Sequence, residues 1–410
     1  MITAESRAID LRRYSVVAVC FAAIVFDGYD LIIYGSTIPA LLSYQEWSLS
    51  QEQIGAIGSA ALLGMFFGAI SVGTLTHRLG HRKVFLGCLI WYSLAMIGVA
   101  LAPNPGILAF FRFVAGLGFG GIAPVAIAMV VEIARPHERN RLNAMMLAGL
   151  PVGGVIAAFL ALNLQSTLGF RGLWAIGALA LAVVVPFAWR FIPETVSLEP
   201  TLNVSEAPTT LRSYSRDRPF SRGLRAVVMF ASANFIGFLL VFGLNTWLPQ
   251  LMREAGYSVG SALTFQLLLN GGAVTGGVFG SALADRFGSR TVAAASFVVA
   301  SVAVAAMGMA PSQAVMYLVV LLAGAGSIGT QIVLSGYVAN YYPTHVRASA
   351  LGLTTGIGRL GAVSGPLVGG ALLGGNVPFS WIFVTFGAIA MLGGIVCLAV
   401  PPSDQRAVVE

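Results

Sequence analysis

The chain has 410 residues, of which 57% are hydrophobic and 10% are charged, and its mean hydropathy is +0.85. Because about a quarter of the residues in soluble domains are charged, this composition excludes a soluble protein and indicates an integral membrane protein. The net charge of +7 arises from arginines and lysines concentrated in short loops, which argues for membrane topology and against a nucleic-acid partner.

Apolar segments that can cross a membrane recur along the whole chain. A helix needs about 20 residues to cross roughly 30 Å of hydrocarbon. Transmembrane β-strands would be about ten residues long with alternating polarity, a pattern that this chain lacks. We therefore predict an all-α membrane protein with twelve spans: Val16–Ile38, Ile54–Leu75, Val84–Leu101, Ile107–Ile133, Leu142–Leu164, Leu173–Ile192, Ala226–Leu248, Ala262–Leu283, Val292–Met309, Ala314–Ala339, Ala348–Leu373 and Phe379–Val400.

The basic residues predict the orientation of these spans. They collect before the first span and after every second span, whereas the opposite loops hold only Arg171 and Arg253. By the positive-inside rule, both termini and the long loop after the sixth span are cytoplasmic.

The chain also divides into two similar halves. The only long polar segment, Pro193–Arg225, separates six spans from six, and GTLTHRLGHRKV (Gly73–Val84) is echoed by GSALADRFGSRTV (Gly280–Val292). We predict a six-helix bundle over 1–192, a cytoplasmic linker over 193–225 and a second six-helix bundle over 226–410. A parallel repeat of six spans, with a substrate site between the halves near mid-membrane, is typical of one large class of transporters.

Four charged residues lie well within the predicted spans, away from their ends, where charge is costly and usually functional. Asp27 and Asp30 lie in the first span, Arg112 in the fourth and Arg359 in the eleventh. Counting the rise per residue places Asp30 and Arg112 at one membrane level, and Asp27, Asp30 and Tyr34 share one face of the first helix. The alternative is a pair of structural ion bridges, although desolvation makes a buried ion pair a poor source of stability.

A polar and aromatic stripe in the seventh span suggests a second functional surface. Asn234, Phe238 and Asn245 repeat at helical spacing, and Trp247 follows them. Ordinary helix packing explains the apolar members equally well, but an amide in lipid needs a hydrogen-bond partner. Gln331 in the tenth span raises the same question, so we count it as a further candidate substrate contact.

Several motifs together resemble one transporter family. The two repeated loops resemble the signature GxLxDRxGRR of the major facilitator superfamily, and RFVAGLGFGG (Arg112–Gly121) is similar to that superfamily's fourth-helix motif. Within it, the segments DGYD in the first span, NTWLPQLM (Asn245–Met252), YYPTHVRASALG (Tyr341–Gly352) and GRLGAVSGPLVGG (Gly358–Gly370) resemble the aromatic acid:proton symporters of bacteria. One position departs from the signature, because His77 stands where it has aspartate, whereas Asp285 keeps the acid in the second copy.

The resemblance implies proton-coupled uptake of a small aromatic carboxylate, such as benzoate or a hydroxybenzoate, across the bacterial cytoplasmic membrane. The planar guanidinium of Arg359 suits a carboxylate. Burial favours a neutral carboxyl group and a nearby arginine favours the ionised one, so Asp30 or Asp27 can load and release a proton. We predict substrate contacts at Arg359, Arg112, Tyr34, Asn234, Phe238, Asn245, Trp247 and Gln331. We predict a cytoplasmic gating network of Arg78, Arg82, Glu132, Arg135, Asp285, Arg286 and Arg347.

Other functions remain open at this stage. Within transport, the alternatives are muconate or another organic acid, a sugar, or drug efflux; outside it, the alternative is a membrane sensor of aromatic acids. An enzyme is not expected, because the chain has no nucleophile triad, metal cluster, nucleotide loop or cofactor motif. We expect no cofactor and a functional monomer. Three cysteines inside the spans and four histidines in the loops suggest neither a metal site nor a proton relay.

Overall fold

The computed structural model describes residues 4–135, 138–193, 220–309, 312–342 and 344–401. Across these ranges the chain forms thirteen α-helices and no β-strand. His137 and most of the predicted linker, residues 194–219, lie outside the described residues, as do the side chains of His77 and His345.

Seven of the helices precede residues 194–219 and six follow them, the first of which begins at Phe220, within the predicted linker. The first seven are α1 (Ala4–Ser43), α2 (Gln51–Leu79), α3 (His81–Leu101), α4 (Pro105–Ile133), α5 (Arg139–Leu147), α6 (Gly149–Gly177) and α7 (Ala180–Phe191). The other six are α8 (Phe220–Glu254), α9 (Val259–Phe287), α10 (Ser289–Met307), α11 (Gln313–Tyr341), α12 (Thr344–Gly374) and α13 (Phe379–Ala399).

Eleven helical segments of the described chain are long and apolar enough to cross a membrane. Ten match single predicted spans, but the fifth covers the 51 residues of Arg141–Phe191. At helical rise this segment would measure about 75 Å, more than twice the hydrocarbon thickness. Gly169 interrupts the helix with φ 62° and ψ −177°, a conformation that favours glycine. The segment therefore contains the fifth and sixth predicted spans.

The outward faces of the helices are apolar. Trp91, Leu101, Phe110 and Trp189 expose between 52% and 70% of their side chains. Apolar surface on this scale is rare on soluble monomers and suits contact with lipid. Together with the helix lengths, it identifies a multi-pass membrane protein.

Close helix contacts repeat between the two halves. A Cβ atom on Gly116 of α4 would lie 2.1 Å from the carbonyl oxygen of Ala61, and one on Gly324 of α11 would lie 1.9 Å from that of Leu269. No side chain fits at such distances, so glycine lets α4 approach α2 and α11 approach α9. The shared packing supports the internal duplication predicted from the loop motifs.

The loop motifs themselves make matching contacts. Arg82 at the start of α3 donates a 2.7 Å hydrogen bond from Nη2 to the carbonyl oxygen of Trp189, in the last turn of α7. Arg290 at the start of α10 donates to the carbonyl oxygen of Leu398, in the last turn of α13. A cation suits the negative end of a helix dipole, so each arginine fastens one helix end in its own half.

Backbone contacts divide the chain into two compact units. One contains α1 to α7 together with Ser258–Leu267, and the other contains α8 and the chain that follows Leu267. The core of the second unit includes an aromatic cluster in which Phe230 of α8 packs edge-on against Tyr337 and Tyr341 of α11.

Candidate functional site

A buried ionic cluster lies in the first unit. Arg112 on α4 approaches Asp30 on α1, with Nη1 3.5 Å from Oδ1, and the two residues are only 2% and 1% exposed. The guanidinium carbon of Arg112 also lies 4.2 Å from the ring centroid of Tyr34, a cation–π contact. The expectation that Asp30 and Arg112 share a membrane level is therefore confirmed.

Tyr34 is fixed by its own hydrogen bond. Its hydroxyl donates to the carbonyl oxygen of Ile54 on α2 at 2.6 Å, and the residue is 1% exposed. The ring cannot follow Arg112 without breaking this bond. Tyr34 therefore offers a fixed aromatic face beside the buried charges.

The contact between Asp30 and Arg112 is loose. At 3.5 Å it lies at the outer limit for a hydrogen bond. The second carboxylate oxygen of Asp30, Oδ2, is buried and has no hydrogen-bond partner among the described residues. Asp27, one helical turn earlier, is also buried at 2% exposure. The described contacts therefore hold the Asp30 carboxyl group through one oxygen only.

The second unit brings together residues of the predicted aromatic stripe. A Cβ atom on Gly358 of α12 would lie 2.7 Å from the ring of Phe238 and 2.8 Å from Cβ of Asn234. Arg359, the next residue of α12, is partly buried. The structure thus places the predicted carboxylate-binding arginine on the helix that packs against Asn234 and Phe238.

Asn245 has a partner that the sequence analysis missed. Asn270 on α9 donates from Nδ2 to Oδ1 of Asn245 at 3.2 Å, and both side chains are buried. Asn245 in turn donates to the carbonyl oxygen of Val241 at 2.9 Å. The sequence did contain a signal for this contact. Asn270 is an asparagine inside the eighth predicted span, and a buried amide requires a hydrogen-bond partner.

Trp247 and Gln331 lie in contrasting surroundings. The Trp247 ring is fully buried, and its Nε1 donates to the carbonyl oxygen of Pro366 at 2.9 Å, so it joins α8 to α12. The side-chain amide of Gln331 is pressed onto the backbone of α8 at Gly237, and neither its oxygen nor its nitrogen has a hydrogen-bond partner among the described residues. Packing accounts for Trp247, whereas the amide of Gln331 calls for another explanation.

The predicted gating residues lie near helix ends. Glu132 at the end of α4 lies 3.6 Å from Nδ1 of His81, which begins α3 and was expected to be a simple loop residue. Arg13 forms a 3.1 Å ion pair with Glu138, which no sequence pattern indicated. The remaining predicted gating residues are exposed or partly exposed: Arg78, Arg82, Arg135, Asp285, Arg286 and Arg347. Their role in gating stays a prediction.

Comparison with known proteins identifies the family. The family model described as "Major Facilitator Superfamily" matches residues 20–280 and 259–410. A gentisate transporter of Corynebacterium glutamicum is 37% identical, over 94% of this chain and 86% of its own length. A benzoate transport protein of Acinetobacter baylyi is 31% identical, over 96% of this chain and 90% of its own.

A likeness to solved structures supports the same fold. The crystal structure of a D-xylose-proton symporter superposes with a TM-score of 0.79, covering 96% of this chain and 98% of its own, at 17% identity. At that identity the likeness shows the fold alone. The resemblance inferred from the motifs is confirmed, and so is the expectation that the protein is not an enzyme. The chain belongs to the major facilitator superfamily of transporters, and within it to the family of aromatic acid transporters.

Proposed function

We propose that the protein takes up a small aromatic carboxylate together with protons, by alternating access, across a bacterial inner membrane. The observation that carries this proposal is the buried cluster of Asp30, Arg112 and Tyr34 inside the membrane-spanning helices. It supplies a titratable acid, a fixed cation and an aromatic face, which are the groups that an aromatic anion and a proton require. The gentisate and benzoate transporters among the relatives support the substrate class.

In this proposal the predicted substrate contacts have separate roles. Arg359 provides the planar guanidinium that pairs with the substrate carboxylate, and Phe238 and Tyr34 provide ring faces. The amides of Asn234, Asn245 and Gln331 select ring hydroxyl groups by hydrogen bonds, with Trp247 as an apolar wall. A site that bonds a hydroxyl group rejects an analogue without it, because its own polar groups then stay unpaired.

Coupling in this proposal rests on Asp30, with Asp27 as its partner. Arg112 favours the ionised form of Asp30 while it stays close; when Arg112 turns toward the arriving anion, the buried carboxyl group takes up a proton. The proton on Asp30 and the anion paired with an arginine are then carried through the conformational change together, with little net charge. The loose 3.5 Å contact allows this exchange of partners.

We also propose a topology, a gating network and an oligomeric state for the protein. Both termini face the cytoplasm, and two six-helix bundles, 1–192 and 226–410, are joined by the linker over 193–225. The gating residues at the cytoplasmic helix ends hold one state of the cycle, and the monomer is the working unit.

Uptake into proteoliposomes tests the function. The purified protein is reconstituted, and an inward proton gradient is imposed with labelled gentisate, benzoate or 4-hydroxybenzoate outside. We expect accumulation above equilibrium that collapses with a protonophore, and no accumulation of xylose. Accumulation that ignores the pH gradient would contradict proton coupling.

The same assay separates the alternatives. Saturable binding of the acids without transport would indicate a sensor, and accumulation of xylose would indicate a sugar porter. Net movement out of vesicles loaded with the acid, driven by an opposite proton gradient, would indicate efflux. Accumulation of muconate in preference to aromatic acids would shift the substrate class within organic acids.

A further inference from the structure

Arg171 is one of only two basic residues in the loops on the predicted outer side of the membrane, and the proposed function does not use it. It lies in the short connection between the fifth and sixth predicted spans, two residues after the helix break at Gly169. The positive-inside rule does not account for a cation on this side.

Two aromatic rings hold the guanidinium group of Arg171. Its carbon lies 5.5 Å from the ring centroid of Trp47 and 5.9 Å from that of Phe170, both cation–π distances. Tyr44 packs edge-on against both rings, with its centroid 5.5 Å from that of Trp47 and 5.3 Å from that of Phe170. We call Tyr44, Trp47, Phe170 and Arg171 the outer aromatic site.

Three connections between helices meet at this site. Tyr44 and Trp47 follow α1, Phe170 and Arg171 lie between the fifth and sixth predicted spans, and Pro103 joins α3 to α4. Nε1 of Trp47 donates to the carbonyl oxygen of Pro103 at 3.1 Å, which fixes the indole ring. Phe170 is 8% exposed, whereas Tyr44, Trp47 and Arg171 are partly exposed. The outer aromatic site is therefore fixed by packing and open to solutes.

No acid neutralises the charge of Arg171. Among the described residues it forms no ion pair, although Glu46 lies in the neighbouring connection. Glu46 instead accepts a hydrogen bond from the hydroxyl group of Tyr44. A guanidinium group presents its N–H donors as a planar fork that matches a carboxylate. The site thus offers a cation and aromatic rings together, which is what an aromatic carboxylate requires.

The second half keeps the aromatic residue at this place but not the cation. Phe170 precedes Arg171 near the start of the sixth predicted span, and Phe379 precedes Ser380 at the start of the twelfth. The duplicated fold therefore does not require an arginine in this connection. The outer arginine belongs to the half that also carries the buried cation, Arg112.

A chain of contacts joins the outer aromatic site to the buried cluster. Phe170 packs edge-on against Trp174, with the centroids 5.0 Å apart, and Nε1 of Trp174 donates to Oγ1 of Thr37 at 3.2 Å. Thr37 donates in turn to the carbonyl oxygen of Tyr34 at 2.9 Å, the residue whose ring faces Arg112. The last residue of α1 lies nine residues beyond Tyr34, about 14 Å of helix. The two sites are therefore neighbouring but distinct.

We propose that the outer aromatic site captures the aromatic carboxylate before transport: Arg171 pairs with its carboxylate, and Tyr44 and Trp47 contact its ring. This inference rests on the proposed function, because the captured molecule is the proposed substrate. An exposed ion pair contributes little affinity, so binding is weak, with a dissociation constant on the order of 1 mM. Weak binding suits capture, because the acid must leave this site to be transported.

Binding is measured by ¹⁹F NMR of the full chain in detergent, labelled with 5-fluorotryptophan and titrated with benzoate. The Trp47 signal is assigned by its loss in Trp47→Phe. We expect benzoate to shift it in wild type and in Arg359→Ala alike. Acetate and benzyl alcohol should each shift it about fivefold less, because each supplies only part of the interactions. The signal of Trp381, an exposed residue of the second half, should not move and controls for benzoate dissolved in detergent.

Arg171→Gln removes the charge and keeps a polar side chain, and the matched control is Arg253→Gln at the other outer arginine. We expect Arg171→Gln to reduce the benzoate shift at Trp47 about fivefold, Arg171→Lys to retain part of it, and Arg253→Gln to retain all of it.

Uptake into proteoliposomes tests whether the site serves transport. At low salt, Arg171→Gln should lower kcat/KM about threefold and leave kcat within about twofold of wild type, because capture precedes the transport step. The difference should fade at about 0.5 M salt, which screens exposed charges. A purely structural role of Arg171 would instead lower the melting temperature and kcat, and would not depend on salt in this way.

Four results would overturn the inference. They are a Trp47 signal that benzoate leaves in place, an equal shift at Trp381, a shift that persists in Arg171→Gln, and a kcat/KM of Arg171→Gln equal to that of wild type at low salt. A wild-type protein that binds benzoate at Trp47 but never accumulates it would instead reject the proposed symport. The two failures are therefore distinguishable.

Discussion

Arg112 and Val320 occupy the same place in the two halves of the protein. Each lies four residues before the glycine, Gly116 or Gly324, that brings its helix against the neighbouring one. Both side chains are buried, at 2% and 0% exposure. One duplicated framework thus carries a buried cation in the first half and an apolar side chain in the second.

The buried acidic residues also differ between the two halves. Asp27 and Asp30 are buried in the first half, whereas the buried polar residues described in the second half are amides and hydroxyls, among them Asn234, Asn245 and Asn270. Amides form hydrogen bonds at fixed charge, while a carboxyl group changes its charge with its protonation. In the proposed function, this difference places proton coupling in the first half and hydrogen bonding by amides in the second.

Replacing Asp30 by Asn should have the largest effect on transport. We expect accumulation driven by a pH gradient to fall to background, because the amide cannot carry a proton. Exchange at constant pH should persist, which measures whether the variant still binds and moves the substrate. The uptake and exchange assays use the same proteoliposomes, so a shortage of folded protein would lower both.

Glu46→Gln is the matched control for Asp30→Asn, because Glu46 is an exposed acid outside the spans. It should retain gradient-driven accumulation. Full accumulation by Asp30→Asn would remove this acid from the mechanism and leave Asp27 as the candidate.

Replacing Arg359 by Ala tests recognition in the second half. Loss of a charge-assisted hydrogen bond to the substrate carboxylate costs about 1.5 to 3 kcal/mol, so the dissociation constant should rise at least tenfold. Arg359→Lys should recover part of the affinity, since it restores the charge without the planar fork. Isothermal titration with benzoate measures both, with the exposed Arg253→Ala as control, and unchanged affinity in Arg359→Ala would exclude the residue from the site.

Replacing Gln331 by Leu separates binding from folding. Because the amide of Gln331 has no partner among the described residues, its removal should leave the melting temperature unchanged or raise it. Affinity for a hydroxylated acid should fall about fivefold, as expected for one lost neutral hydrogen bond, with little change for benzoate. Equal losses for both acids would show that Gln331 contributes no selectivity for hydroxyl groups.

Much of this fold could be predicted from the sequence because lipid imposes simple rules on helix length and charge. The level shared by Asp30 and Arg112 followed from helical rise alone. The fifth and sixth spans were also separated correctly, because Gln165, Ser166, Thr167 and Arg171 mark the short connection between them. The structure breaks the helix in that connection, at Gly169.

The site was predicted less completely, because a sequence gives a residue's level but not its neighbours across the bundle. Asn270 lies within an ordinary apolar span, and only the packed structure shows it beside Asn245. Trp247 was predicted as a substrate contact because it follows the stripe, but its bond to Pro366 depends on how α8 meets α12. Contacts of this kind arise from tertiary packing, which a single sequence does not display.

The smallest predicted effect concerns the two arginines that fasten helix ends, Arg82 and Arg290. Each makes one charge-assisted bond to a last-turn carbonyl oxygen, so Arg82→Gln and Arg290→Gln should each lower stability by about 1 kcal/mol. The costs should add in the double variant, because the two contacts share no residues. Thermal unfolding measures these changes, with the exposed neighbour Lys83→Gln as control.

If the first loop also gates transport, Arg82→Gln should reduce the rate of uptake per folded molecule further than Arg290→Gln does. Equal rates at equal stability would show that Arg82 has a structural role alone, as the matching contact of Arg290 in the second half suggests.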